Sequence, residues 1–112
     1  MLIYKIFRRP EWDHLRHMGE TQGAPVDLSD GYIHFSAAPQ LAETAAKWFA
    51  DQSDLVLLAV DAKNLGDDLR WETSRGGALF PHLYRALRLT DVVWDKSLPL
   101  GASGHIFPEG VF

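Results

Sequence analysis

Two imidazoles lie inside apolar, strand-like stretches of this chain: His34 in DGYIHFS (Asp30 to Ser36) and His82 in GGALFPHLY (Gly76 to Tyr84). Between them, the segment LRWE carries a carboxylate, Glu72. An imidazole among Ile, Phe and Leu is costly to desolvate unless something hydrogen-bonds it. Such a position is either a satisfied core group or the wall of a polar pocket. An unperturbed imidazole titrates near ~6.5 and suits general acid or base work, and a neighbouring carboxylate can orient it or stabilise positive charge in a transition state. His34, Glu72 and His82 are therefore the candidate catalytic residues, provided that their strands are neighbours. The structural alternative is that each histidine satisfies a backbone carbonyl or caps a turn while Glu72 pairs with Arg70 or Arg75.

Three further side chains suit ligand binding. Ser36 lies two residues after His34 and would share its face of a strand. No nucleophile elbow surrounds it, so it reads as a polar pocket group or as the cap of a following helix. Arg75 sits in SRGGA (Ser74 to Ala78), whose backbone N–H groups could meet a phosphate, although the lysine and spacing of a P-loop are missing. Tyr84, like Tyr32 and Trp71, could stack on a ring or simply pack. Two histidines and a carboxylate also suit a transition metal. The separations, 38 positions from His34 to Glu72 and ten more to His82, form no local metal motif, and no metal site is assigned. His14 and His17 read as an exposed helix face.

Composition bounds what surrounds these residues. A chain of 112 residues at 46% apolar content supports one modest core, so residues 1–112 are expected to form a single domain. The chain has no cysteine, which removes disulfides, thiol nucleophiles and thiolate metal sites and points to a cytoplasmic setting. MLIYKIFRRP lacks a cleavage site, and no run approaches the ~18 apolar residues of a membrane span. A net charge of −4 argues against general nucleic-acid binding. The charge is uneven: eleven acids face three bases between Glu11 and Asp68, whereas Arg70, Arg75, Arg85 and Arg88 flank only Glu72. The basic excess falls where the candidate site lies, either to bind an anion or to decorate solvent-facing strands.

Periodicity then supplies the elements. Leu2 to Phe7 is β-rich, with Leu2, Tyr4 and Ile6 on one face. Pro10 opens a helix carrying Trp12, Leu15 and Met18 at helical spacing, and Gly19 ends it. Residues 20–30 read as a loop into a strand, Gly31 to Phe35. Pro39 to Ala50 is an amphipathic helix whose Trp48 and Phe49 should anchor the core. LVLLAVD (Leu55 to Asp61) reads as a central strand covered on both faces. Short strands follow at Leu69 to Glu72, Phe80 to Leu87 and Val92 to Lys96. Pro81 cannot donate to a ladder, which places its segment at an edge, a bulge or the mouth of a cleft. The tail, about 99–112, reads as irregular and without chemistry. The fold class is α+β: one small domain with a mixed or antiparallel β-sheet and two helices.

The run of IYKI, a tryptophan in the first helix, DGYIHFS, QLAETAAKWF, LVLLAVD, LRWE and GGALFPHLY resembles the small bacterial proteins of the domain of unknown function 952 family over nearly the whole chain. The resemblance implies a fold like the catalytic core of ADP-ribosyltransferases, a bent, split sheet around a nicotinamide-nucleotide cleft, with an NAD-like nucleotide as the cofactor class. It implies no activity of its own. Transferases of that fold use an Arg or His on an early strand, a Ser or Tyr on a second and a Glu on a later one. Ser36 could take the second place and Glu72 the third, whereas LIYKIF offers Tyr4 and Lys5 at the first. The chain is thus expected to bind a small anionic or nucleotide-like molecule in a His/Ser/Glu cleft, with ribosyl transfer or hydrolysis as the chemistry in view. The alternatives are a metabolite-binding module without turnover and a protein-interaction domain with structural histidines. No membrane partner is expected.

Overall fold

The computed structural model describes the whole chain, 1–112, except for the side chain of Arg75. In chain order its elements are β1 (Leu2–Arg8), α1 (Arg9–Met18), β2 (Glu20–Thr21), α2 (Pro25–Asp30), β3 (Ile33–His34), β4 (Ser36–Ala37), α3 (Leu41–Trp48), β5 (Leu55–Asp61), β6 (Leu69–Thr73), β7 (Leu79–Leu83), β8 (Leu87–Arg88), β9 (Val92–Leu98), β10 (Leu100–Gly101) and β11 (Gly104–His105). These make a small α+β domain built on antiparallel pairings. One sheet has the order β4-β1-β5-β9 and a second the order β3-β7-β6.

The uninterrupted apolar run of β5 explains its place. Every residue from Leu55 to Val60 is buried, because β5 lies between β1 and β9 and is covered on both faces. β1 runs beside it in antiparallel register from Leu2 opposite Asp61 to Arg8 opposite Leu55. Successive side chains of a strand point to opposite faces, so β1 feeds two cores. Ile3 and Phe7 join Val56, Leu58 and Val60 beneath the second sheet, with Trp12 and Leu15 of α1. Tyr4 and Ile6 join Leu55, Leu57 and Ala59 on the other side, where Leu41 and Ala45 of α3 pack.

At one place the chain passes directly from one sheet into the other. β3 pairs with β7 and, across Phe35, β4 pairs with β1. Pro81 stands at this seam, on the central strand of the second sheet and not at its edge. Its carbonyl accepts from Phe35 N–H at 2.9 Å. A residue's N–H and C=O point to the same side of its strand, so the donor that Pro81 lacks faces the place where the chain leaves one ladder for the other.

Several expectations are corrected. The stretch 20–30 is not a loop throughout: it holds β2 and a third helix, α2, begun by Pro25. Met18 is 60% exposed, because steps of three residues drift by about 60° each around a 3.6-residue turn and leave the buried stripe. Phe49 is half-buried against the second core, but Trp48 is 59% exposed. As the last residue of α3, it reaches past the buried part of its face. The strand expected over 80–87 stops at Leu83. The tail forms the β10–β11 hairpin and buries Val111 in the second core.

Phe7 is fully buried between the sheets, so Phe7→Ala should destabilise the protein by about 3–5 kcal/mol. Urea denaturation followed by tryptophan fluorescence measures this, and a loss below ~1 kcal/mol would show that Phe7 is not central to the packing.

Candidate functional site

Strand register brings the two histidines together. His34 of β3 lies directly opposite His82 of β7, which in turn lies opposite Arg70 of β6. Alternation puts Ile33 and Leu83 on the reverse face in the first core, leaving the imidazoles on the other side with ring centroids 5.3 Å apart. Tyr32 lies against both, 4.2 Å from the His82 ring in a stacked geometry and 4.6 Å from that of His34. Both imidazoles line a cleft of about 550 Å3, along with Lys5, Ser36, Trp48 and Phe80. That volume is within the range of small-molecule sites.

Each imidazole is held by a carboxylate. His82 is 3% exposed, and its Nδ1 is 2.8 Å from Glu72 Oε1, which also accepts from the Tyr84 hydroxyl at 2.6 Å. The hydrogen bonds from Tyr84 and then from His82 hold the Glu72 carboxyl below its ordinary range, and the bond to Glu72 raises Tyr84. An ionised carboxylate only accepts, so the proton in the Glu72–His82 bond sits on Nδ1. Nε2 of His82 is buried and has no partner among the described residues.

His34 meets two acids, with Nδ1 2.7 Å from Asp27 Oδ1 and Nε2 3.0 Å from Asp30 Oδ2. Both contacts are hydrogen bonds when the ring carries two protons, whereas a neutral ring satisfies one. Asp27 has no exposed side-chain surface. It also accepts from the backbone N–H of His34 at 3.0 Å, from that of Ala24 at 2.8 Å, and from Lys5 Nζ at 2.8 Å. Burial alone would push its carboxyl up. The bonds from His34 and the Lys5 ammonium outweigh this and hold it below the usual value. Burial lowers Lys5 against the opposing pull of Asp27. Gly23, at φ +101°, lies where a Cβ would collide with the Asp27 carboxylate.

The structure thus gathers His34, His82 and Ser36 at the cleft. The Ser36 hydroxyl is 2.9 Å from that of Thr44, and Ser36 is paired in β4 opposite Tyr4. Glu72 and Tyr84 stand behind His82, outside the cleft wall. The side chain of Arg75 lies outside the described residues. The remaining arginines do not converge: Arg70 stacks on Tyr84 at 4.7 Å, and Arg85 makes a two-pronged pair with Asp91 at 2.9 and 3.1 Å. Among the described residues no three imidazoles or carboxylates form a group that would hold a metal ion.

Sequence reasoning passed over Asp27 and Asp30, met Lys5 only through the family resemblance and read Trp48 as a core anchor. A lysine inside LIYKIF carried the same signal as a histidine inside an apolar run. Pro25 followed by Asp27 marked a helix start, in which the acid reaches back to the Ala24 N–H.

Replacing Asp27 should be the costliest change at the site, because it leaves the Lys5 charge buried and unpaired. Asp27→Ala is expected to lose about 3–5 kcal/mol, and Lys5→Met less, since Asp27 keeps its other donors. The folded-state value of Asp27 lies below the unfolded one near ~3.9, so its contribution is present above about pH 4 and lost as the pH falls further. Urea titrations between pH 7 and 3 should show that Asp27→Asn lacks this part of the acid sensitivity. Equal slopes for the variant and the parent would contradict it.

Among the described residues no helix is long and apolar enough to cross a membrane. A search of curated proteins gives no match. The crystal structure of protein CC0527 from Caulobacter crescentus is 56% identical, with a TM-score of 0.90 over 94% of this chain and 92% of that one. The solution structure of the same protein is 57% identical, with a TM-score of 0.84 over 93% and 90%. The family model described as "Protein of unknown function (DUF952)" matches residues 6–95. By that match across most of its length, the chain belongs to the DUF952 family.

Proposed function

We propose that the chain binds a small anionic or nucleotide-like molecule in the cleft lined by His34, Ser36 and His82, and that the paired imidazoles handle protons on it in ribosyl-transfer or hydrolytic chemistry. The observation that carries this reading is His82. Its Nδ1 is fixed by Glu72, its Nε2 is buried without a partner among the described residues, and its ring forms part of the cleft wall. Leaving a buried polar atom unmatched costs about 1–3 kcal/mol, which is a pattern expected of a group whose partner is a ligand. Trp48, Phe49 and Phe80 offer apolar walls suited to a flat ring. A strand passing from one sheet to the other beside the cleft accords with the ADP-ribosyltransferase-like architecture that the sequence resemblance implies.

One observation favours a second reading, a metabolite-binding module without turnover. In ribosyl transfer a glutamate faces the sugar, but the Glu72 carboxylate is engaged by His82 and Tyr84. Glu72 is then a positioning residue for His82, and any chemistry falls to the imidazoles.

A thermal-shift panel of NAD, ADP-ribose, AMP and inorganic phosphate tests the reading. A ligand at 100 times its Kd adds about 2.7 kcal/mol, and each kcal/mol raises Tm by roughly 4–8 °C in a domain near this size. At least one nucleotide should give such a shift, and His82→Ala should abolish it. No shift with any member overturns the proposal. Binding without release of nicotinamide, phosphate or a nucleoside product, followed by chromatography, selects the module.

A further inference from the structure

The bonding of His82 fixes more than the presence of a ligand: it fixes the polarity of the group that meets the protein there. Resting on the reading above, we infer that the ligand donates a hydrogen bond to Nε2 of His82 through a hydroxyl or N–H group, and that the cleft recognises a hydroxylated ligand such as a ribonucleotide by its sugar.

Glu72 Oε1 takes two donors, the Tyr84 hydroxyl at 2.6 Å and Nδ1 of His82 at 2.8 Å. The hydroxyl supplies its own proton, and the carboxylate has none to give, so Nδ1 carries a proton; a second one at Nε2 would meet no acceptor among the described residues, and the lone pair is assigned there. The neighbouring ring divides the labour. His34 is flanked by Asp27 and Asp30 on its two nitrogens, so a proton on either one has an acceptor. His82 has one acid, and its second nitrogen meets none among the described residues. The lone pair lies in the plane of the imidazole, so the Tyr32 ring stacked on the face of His82 at 4.2 Å does not occupy it. An anionic oxygen set against that lone pair would be repelled. A phosphate therefore belongs elsewhere in the cleft, and a donor belongs at His82. The hydroxyls of Ser36 and Thr44, 2.9 Å apart on the same cleft, add groups able to bond either way with a sugar.

Two measurements on the full chain decide the matter. Long-range 15N–1H NMR of the histidine rings near neutral pH should show His82 with its proton on Nδ1 and a bare Nε2, and a proton on Nε2 would overturn the inference without any variant being made. Calorimetry should show AMP binding roughly tenfold tighter than its 2′,3′-dideoxy analogue, the equivalent of one hydrogen bond. In His82→Ala that ratio should fall to about twofold or less. If AMP and the dideoxy analogue bind the parent equally, or if the ratio survives in His82→Ala, the polarity assignment fails while nucleotide binding stands. If neither nucleotide binds the folded parent, the nucleotide reading itself fails, and the assignment with it.

Discussion

The buried carboxylate of Asp27 holds the domain's working parts in place. An anion withdrawn from water is tolerable when its lone pairs are filled by donors, and the donors here come from separate parts of the chain. Lys5 reaches from the middle of β1, the Ala24 N–H caps the start of α2, and His34 contributes both its backbone N–H and its ring from β3. One side chain thus ties the four-stranded sheet, the short helix and the three-stranded sheet to a common point. The orientation of the His34 ring follows from that charge, as does the course of the chain through Gly23.

The second carboxylate works from the opposite side. Glu72 is 37% exposed, so it gains less from its surroundings than Asp27 and depends on two short hydrogen bonds for its position. Tyr84 sets its oxygen, and that oxygen sets His82. The aromatic rings continue the support: Arg70 lies over Tyr84, and Tyr32 packs against Tyr84, His34 and His82. The imidazoles are thus neighbours with unlike environments, one between two acids and one against a single acid and an aromatic face.

Much of this was legible in the chain. β5 begins and ends at the expected residues, Leu55 and Asp61, because a fully apolar run of strand length has few other places to go. β1, α1 and α3 lie within about two residues of their expected bounds, since each combines a clear period with a start or stop signal. The meeting of His34 and His82 follows from two apolar segments that each carry one polar residue on the face turned away from the core. What escaped notice depends on tertiary contacts. α2 is six residues long and draws its stability from Asp27 more than from periodicity. The role of Lys5 depends on a partner 22 positions away, which no local pattern reveals. Trp48 has the spacing of a core residue and ends on the cleft because its helix stops there.

The facing positions of His34 and His82 carry an evolutionary consequence. Side chains alternate strictly along a strand, so slippage of β3 by one residue would drive His34 into the oil between the sheets and expose Ile33 to water, and slippage of β7 would do the same to His82 and Leu83. Any mutation that loosens the alignment is penalised first as a folding defect, before chemistry is consulted. Selection for a well-packed interior therefore preserves the two facing positions, whichever side chains occupy them.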